Sequence, residues 1–207
     1  MLKQQAPRCG ALAHIIGRIW IKAFGWKLEG VAPPIAKCVF IAAPHTSNWD
    51  MPHMLGAAWA LGLRVAWMGK KQIFRWPFAG FMKALGGIPI DRSTSQNTVE
   101  RAARLFEESD GLYLVIPVSG TRTRTEYWRS GFYHIADAAK IPIICSYLDY
   151  AKGVTGIDLV LETTGDISAD MDKLREFYGP YQGRHREMKS RIRLREEEAQ
   201  PDAVANG

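Results

Sequence analysis

Apolar and polar positions along the chain fall into short blocks of two kinds. Cys38-Val39-Phe40-Ile41-Ala42-Ala43 is apolar without a break and predicts a buried strand. Leu112 to Pro117 and Ile141 to Cys145 read the same way. Arg64 to Met68, the short run after Gly86-Gly87, and Ile157 to Glu162 predict further strands, the last at the edge of the sheet. Helical spacing governs the rest. Leu12, Ile15, Ile16, Ile19, Trp20 and Ala23 share one face of a helix ending near Trp26. Met54, Leu55, Ala58 and Trp59 recur on a helix from Met51 to about 62. Gln72 to Leu85 is amphipathic, with Pro77 breaking or bending it near the middle. Val99, Ala102, Ala103, Leu105 and Phe106 predict a helix capped by Ser93 or Ser95. Gly131 to Lys140 is another, and Ser168 caps a last one reaching Tyr178. Strands that alternate with helices predict an α/β fold.

The 207 residues fit one domain with a sizeable core, and 47% hydrophobic content is that of a globular chain. Three divisions are expected: an amphipathic membrane-associating segment over 1–30, the main domain over 31–182, and a charged, disordered tail over 183–207. Cys9, Cys38 and Cys145 are odd in number and widely spaced, which argues for a reducing compartment. Met1 to Gly10 is polar and shows no signal peptide, and no run of about 20 apolar residues predicts a spanning helix.

Charge changes this picture. The net +6 is unevenly spread: residues 1–28 and 51–90 carry lysines and arginines but no acid. The second stretch also holds Trp59, Trp67, Trp76, Phe74, Phe78 and Phe81. Interleaved cations and rings suit an anionic membrane surface, or a solvated basic face beside an ordinary core. No nucleic-acid motif is present. The expectation is a peripheral protein on the cytoplasmic side of the cell membrane.

Candidate chemistry begins directly after the first buried strand, at Pro44-His45-Thr46-Ser47-Asn48-Trp49-Asp50. On one continuous helix His45 and Asp50 would point about 140° apart. With the histidine in a loop and the aspartate in the first helical turn, the chain can fold back so that they meet. An ionised Asp50 then fixes the ring tautomer and frees the other nitrogen as a base. Thr46, Ser47 and Asn48 are candidate caps for the helix. The competing readings are a structural histidine and a metal site of His45, Asp50 and His53; no further ligand cluster supports the metal, and none is expected. Ser119-Gly120-Thr121-Arg122 follows the strand ending at Pro117, where open α/β sheets place ligands. Arg122 and Arg124 offer planar donors there for a phosphate or carboxylate.

Four stretches thus stand in fixed order: His45-x4-Asp50, Gly87-Ile88-Pro89-Ile90-Asp91-Arg92, Ser119-Gly120-Thr121-Arg122 and Ile141-Pro142-Ile143. Their order resembles the four blocks of the glycerolipid acyltransferases, the lysophosphatidate acyltransferase family, over about residues 35–150. Lys71-Gln72-Ile73-Phe74 with Trp76-Pro77 is similar to the segment between the first two blocks. The resemblance implies an α/β fold with a mixed, mostly parallel sheet flanked by helices. It implies transfer of a fatty acyl group from acyl-CoA or acyl-carrier protein to a hydroxyl of a lipid acceptor, with no cofactor. His45 would be the base and Asp50 its orienting partner. Arg92 and Arg122 would hold an acceptor phosphate, Gly120 and Thr121 would shape the loop, Lys71 would add charge and Pro142 would shape the site.

One position departs from the pattern. The third block of the family reads Glu-Gly-Thr-Arg, and Ser119 stands at the glutamate. The shorter, uncharged side chain opens the acceptor to a different alcohol or an amine. Ser119 also admits a hydrolase or thioesterase with His45 as its base, although the full Gly-x-Ser-x-Gly elbow is absent. A degenerate acyl-lipid-binding protein is the non-enzymatic alternative.

Overall fold

The computed structural model describes residues 6–90 and 95–198. Among the described residues seven strands form one sheet: β1 (Lys27–Glu29), β2 (Lys37–Ala43), β3 (Ala66–Lys70), β4 (Gly87–Ile90), β5 (Leu112–Pro117), β6 (Ile143–Asp149) and β7 (Val154–Leu161). Their order is β1-β7-β6-β2-β5-β3-β4, and every neighbouring pair is parallel except β6 with β7. The helices are α1 (Ala11–Ala23), α2 (Asp50–Ala60), α3 (Ala79–Ala84), α4 (Ser95–Glu108), α5 (Gly131–Ala139) and α6 (Ile167–Tyr178).

The unbroken apolar run of β2 is explained by its place at the centre, covered on both faces. Val39, Ile41 and Ala43 join one core with Ala102, Phe106, Phe132 and Leu174. Cys38 and Phe40, one residue out of phase, join the other with Leu55, Ala58 and Val65. On either side β2 has a parallel partner, with Ala42 opposite Pro117 of β5 and Ala43 opposite Tyr147 of β6. The carboxyl ends of three strands therefore emerge side by side. That register brings the loops after Ala43, Pro117 and Asp149 to one edge of the sheet.

Several elements differ from the sequence expectation. The strand over 154–161 is not at the edge, because Lys27–Glu29 pairs outside it. The helix expected over 72–85 is a 3-10 turn at Lys71–Ile73 followed by α3, with Pro77 between them. No side chain caps α2, and Asp166 rather than Ser168 caps α6 by accepting from the Ala169 N–H. The first thirty residues are not set apart from the domain: α1 lies on α2 and β1 on the sheet. A Cβ at Gly17 would meet the backbone N of Ala60 at 2.5 Å, so the two helices touch there because glycine has none. Ile21 is buried, while Leu12, Ile15, Ile16 and Ile19 on the other face of α1 are exposed. No helix among the described residues is long and apolar enough to cross a membrane.

The charged run after 183 was expected to be disordered, yet residues 183–198 form a packed strap. Leu194 is fully buried in the core beside α6. Lys189 donates to the carbonyls of Tyr178, Gly179 and Tyr181 at 3.1, 2.8 and 2.7 Å, closing the end of α6. The charges pair across the fold, Arg175 with Glu197 and Arg191 with Glu126, both at 2.7 Å. Composition alone reads such a run as solvated; one buried leucine and partners far away in sequence reverse that. Residues 199–207 lie outside the described residues.

Candidate active site

The chain leaves β2 through the cis peptide Ala43–Pro44, and His45 is the next residue. Its Nδ1 lies 3.0 Å from Oδ2 of Asp50. The same oxygen accepts the backbone N–H of Thr46 at 2.7 Å and of Ser47 at 2.8 Å. Thus Asp50 ties the loop back onto its own first helical turn, in place of the expected side-chain caps. The other oxygen, Oδ1, accepts the hydroxyl of Tyr150 at 2.7 Å. Burial raises the carboxyl pKa, but the hydrogen bonds from His45, Tyr150, Ser47 and Thr46 outweigh it and hold the group below its ordinary value. An ionised carboxylate can only accept, so it selects the Nδ1–H tautomer and leaves the lone pair of Nε2 free. Tyr150 in turn is held protonated, its pKa pushed up by burial and by the carboxylate it bonds.

His53 takes no part in this pair. Its Nδ1 is 3.2 Å from the indole N–H of Trp20, and the rings of Phe24, Trp26, Trp49 and Tyr150 surround it. Burial lowers its pKa. Among the described residues no group of three or more His, Cys, Asp or Glu side chains could hold a metal ion.

His45 and Asp50 also line an apolar cavity of about 160 Å³ between α2 and the sheet. Its walls include Phe40, Met51, Met54, Leu61, Trp67 and Ile157. His45 therefore faces a slot fit for hydrocarbon rather than for a polar metabolite. A proton acceptor at the mouth of an apolar slot can deprotonate a hydroxyl beside a bound acyl group.

A family model described as Acyltransferase matches residues 29–148, more than half of the chain and every strand from β2 to β6. The chain belongs to the acyltransferase family. It is therefore an enzyme of acyl transfer. A crystal structure of the 1-acyl-sn-glycerophosphate (LPA) acyltransferase PlsC from Thermotoga maritima has the same fold, with a TM-score of 0.55 at 16% identity over 81% of this chain and 75% of that one. No curated protein matches this acyltransferase in sequence.

Within the acyltransferase the four sequence blocks are not equally close to His45. Ser119 is buried and lines a small gap beside His45. Its hydroxyl donates to the Thr121 carbonyl at 2.6 Å, so it closes its own loop instead of bonding the histidine. Gly120, at φ 64°, and Arg122 are exposed on that loop, and Thr121 Oγ1 lies 3.1 Å from Thr123 Oγ1. Lys71 is exposed on the 3-10 turn after β3. Arg92 lies outside the described residues. Pro142 is a correction: it precedes β6 at the amino end of the sheet, where its carbonyl accepts from Val39 N at 3.1 Å. Seven strand residues, about 20 Å, separate it from the edge where His45 sits, so it does not shape the site directly. The residue that the fourth block does deliver is Tyr150, just past the carboxyl end of β6. Sequence reasoning missed it, and its place after a buried strand was the available signal.

The strap is the other omission. Gly183 packs on Thr46 so closely that a Cβ there would sit 2.5 Å from Oγ1, and His185 N donates to that same oxygen at 3.3 Å. Gln182 O accepts the N–H of Tyr150 at 2.9 Å. The strap thus fastens the histidine loop, and Gln182 just before it fastens Tyr150.

Proposed function

We propose that this enzyme moves a fatty acyl group from acyl-CoA or acyl-carrier protein to a hydroxyl of a lysophospholipid-like or glycerol-phosphate-like acceptor, or to an amine in its place. The observation that carries this reading is the His45–Asp50 pair opening onto an apolar cavity. The acyl chain lies in the cavity with its thioester carbonyl at His45. Nε2 takes the acceptor proton as the acceptor oxygen attacks the carbonyl carbon. The C–S bond then breaks and the departing sulfur takes the proton from the imidazolium. Asp50 keeps the ring oriented and stabilises its charged form. No cofactor enters these steps; the thioester is a substrate.

Lipid acceptors reside in membranes, and this chain presents apolar side chains to solvent that a membrane could cover. Trp76 is 92% exposed, Leu12 72%, Ile19 63% and Phe78 63%. With Arg18 and Lys22 on the same helix as Leu12 and Ile19, they support peripheral binding to an anionic surface on the cytoplasmic side.

The direct test supplies labelled acyl-CoA and a panel of lysolipids and resolves the products. Acceptor-dependent lipid product with release of free CoA supports the reading. Free fatty acid in place of acylated lipid would make the protein a thioesterase.

A further inference from the structure

On the side of His45 away from the apolar cavity, the small gap holding Ser119 is closed by Lys189, Ser190 and Ile192 of the strap. Those three residues also line an open groove of about 750 Å³. The volume is in the range of small-molecule sites, roughly 300–1,000 Å³. Six cations and two glutamates line the groove.

The cations do two different jobs. Lys189 is used up by three carbonyls, Arg175 by Asp172 and Glu197, Arg191 by Glu126 and Arg193 by Glu198. They build the wall. The guanidinium groups of Arg124 and Arg186 have no partner among the described residues, and both are exposed. Their two segments are fastened to each other by backbone bonds: Trp128 N to Arg193 O at 2.8 Å and Arg191 N to Thr125 O at 3.3 Å. Thr125 N adds a bond to Ser190 Oγ at 3.0 Å. Two unspent guanidiniums therefore stand on a fixed frame, on the groove side of the strap residues that also line the gap at His45. Arg186 lies outside the residues that the family model matches over 29–148, and Arg124 lies inside them, on the loop after β5.

We propose that this groove is a phosphate-binding subsite, with Arg124 and Arg186 as its donors. The inference rests on the acyl-transfer reading, which puts the hydrocarbon on the opposite side of His45. A substrate with its apolar end in the cavity and its phosphate in the groove then reaches across the strap wall of Lys189, Ser190 and Ile192, which lines both the gap at His45 and the groove. Planar guanidiniums suit phosphate because they donate two parallel N–H bonds. The same chemistry is offered by two sources, the phosphates of a CoA-type donor and the phosphate of a glycerol-phosphate acceptor.

The test is the double variant R124A/R186A, with KM measured separately for acyl-CoA and for lysophosphatidate, and equilibrium binding of CoA and of glycerol 3-phosphate measured by calorimetry. Both side chains are exposed and unpaired, so circular dichroism should match the wild type. Losing two charge-assisted contacts should raise KM for one phosphorylated substrate about tenfold or more. A rise for acyl-CoA assigns the groove to the donor, and a rise for lysophosphatidate assigns it to the acceptor. Unchanged KM values for both, in a preparation whose wild type transfers acyl groups, would overturn the subsite and leave the acyltransferase reading intact. If the wild type transfers nothing, that reading fails, and calorimetry decides the groove alone. Binding lost in R124A/R186A supports it; equal binding, or none to the wild type, overturns it.

Discussion

Tyr150 donates to Oδ1 of Asp50 at 2.7 Å, the oxygen that His45 leaves free. The carboxylate is thereby held at both ends, and it can neither rotate away from the imidazole nor pick up a proton without losing a bond. His45 and Tyr150 bond it directly, its charge acts on His53, and Arg184 acts on His53 and Tyr150 beside it. Tyr150→Phe removes the one donor to Oδ1 and leaves the carboxylate more basic. The acid limb of kcat/KM, where that carboxylate takes up its proton, should move to higher pH. Transfer should fall by about tenfold, in keeping with one hydrogen bond to a charged group. An unmoved pH profile would make Tyr150 a packing residue only.

His45→Ala should lower kcat by about 10²–10⁴-fold, the usual contribution of a general base. Its fold should survive, because Asp50 keeps the Thr46, Ser47 and Tyr150 donors. Thermal melting and steady-state rates on one preparation separate the two. Transfer at the normal rate would remove His45 from the mechanism.

Asp50 contributes to the stability of the fold as well. Its carboxyl titrates below the ordinary value in the folded chain. The stabilisation from this shift is therefore fully present above the unfolded carboxylate pKa of about 4, and is lost as the pH falls through the depressed folded value. Asp50→Asn can keep an oxygen toward His45, Thr46 and Ser47 and turn its amide to Tyr150, so geometry is spared and charge is lost. Denaturant unfolding should find it less stable than the wild type at pH 7, with the gap closing at pH 3. A constant gap would show that the charge contributes nothing.

What could be read from the chain follows from sequence distance. Cys38 to Ala43 announced itself as a buried strand, and the turn from His45 to Asp50 closes within five residues, so local pattern sufficed for both. Tyr150 reaches Asp50 from a hundred residues away, and His185 reaches Thr46 from farther still. Periodicity carries no trace of such contacts; they depend on which strands lie next to β2. Pro142 was misplaced for the same reason. Block order along the chain does not say which end of a strand faces the site, and the register of β6 on β2 does. The strap looked disordered because charge runs without an apolar period resemble solvated tails, and Leu194 alone gave no period to read.

The strap supplies a stability prediction. Leu194 is fully buried and packs with the core around α6. Leu194→Ala should cost about 2–5 kcal/mol, the range for a buried leucine that leaves a cavity. Denaturant unfolding measures it directly. A cost below about 0.5 kcal/mol, the level of ordinary surface changes, would return the strap to the status of a loose tail.

Membrane binding through α1 is tested on its exposed face. Leu12→Glu with Ile19→Glu should reduce cosedimentation with anionic vesicles while leaving melting nearly unchanged, since both side chains face solvent. Added salt should weaken the wild type, because part of the attraction is ionic. Equal cosedimentation by the variant would place the contact elsewhere, with Trp76 and Phe78 the next exposed candidates.

Ser119 separates the two enzymatic readings. A nucleophilic serine must hydrogen-bond its base and carry the acyl group covalently. Here the hydroxyl donates to the Thr121 carbonyl at 2.6 Å, and the gap beside it is only about 10 Å³. That gap is too small for a tetrahedral adduct at Oγ, and equally too small for the longer side chain of Ser119→Glu unless the strap at Lys189 and Ser190 yields. Ser119→Glu should therefore lower the melting temperature rather than improve use of glycerol phosphate. Ser119→Ala forfeits one neutral hydrogen bond, about 0.5–1.5 kcal/mol, and should keep transfer within roughly tenfold. A fluorophosphonate probe should leave Ser119 unlabelled. Covalent labelling there, joined to loss of all turnover in Ser119→Ala, would replace direct transfer with an acyl-enzyme route.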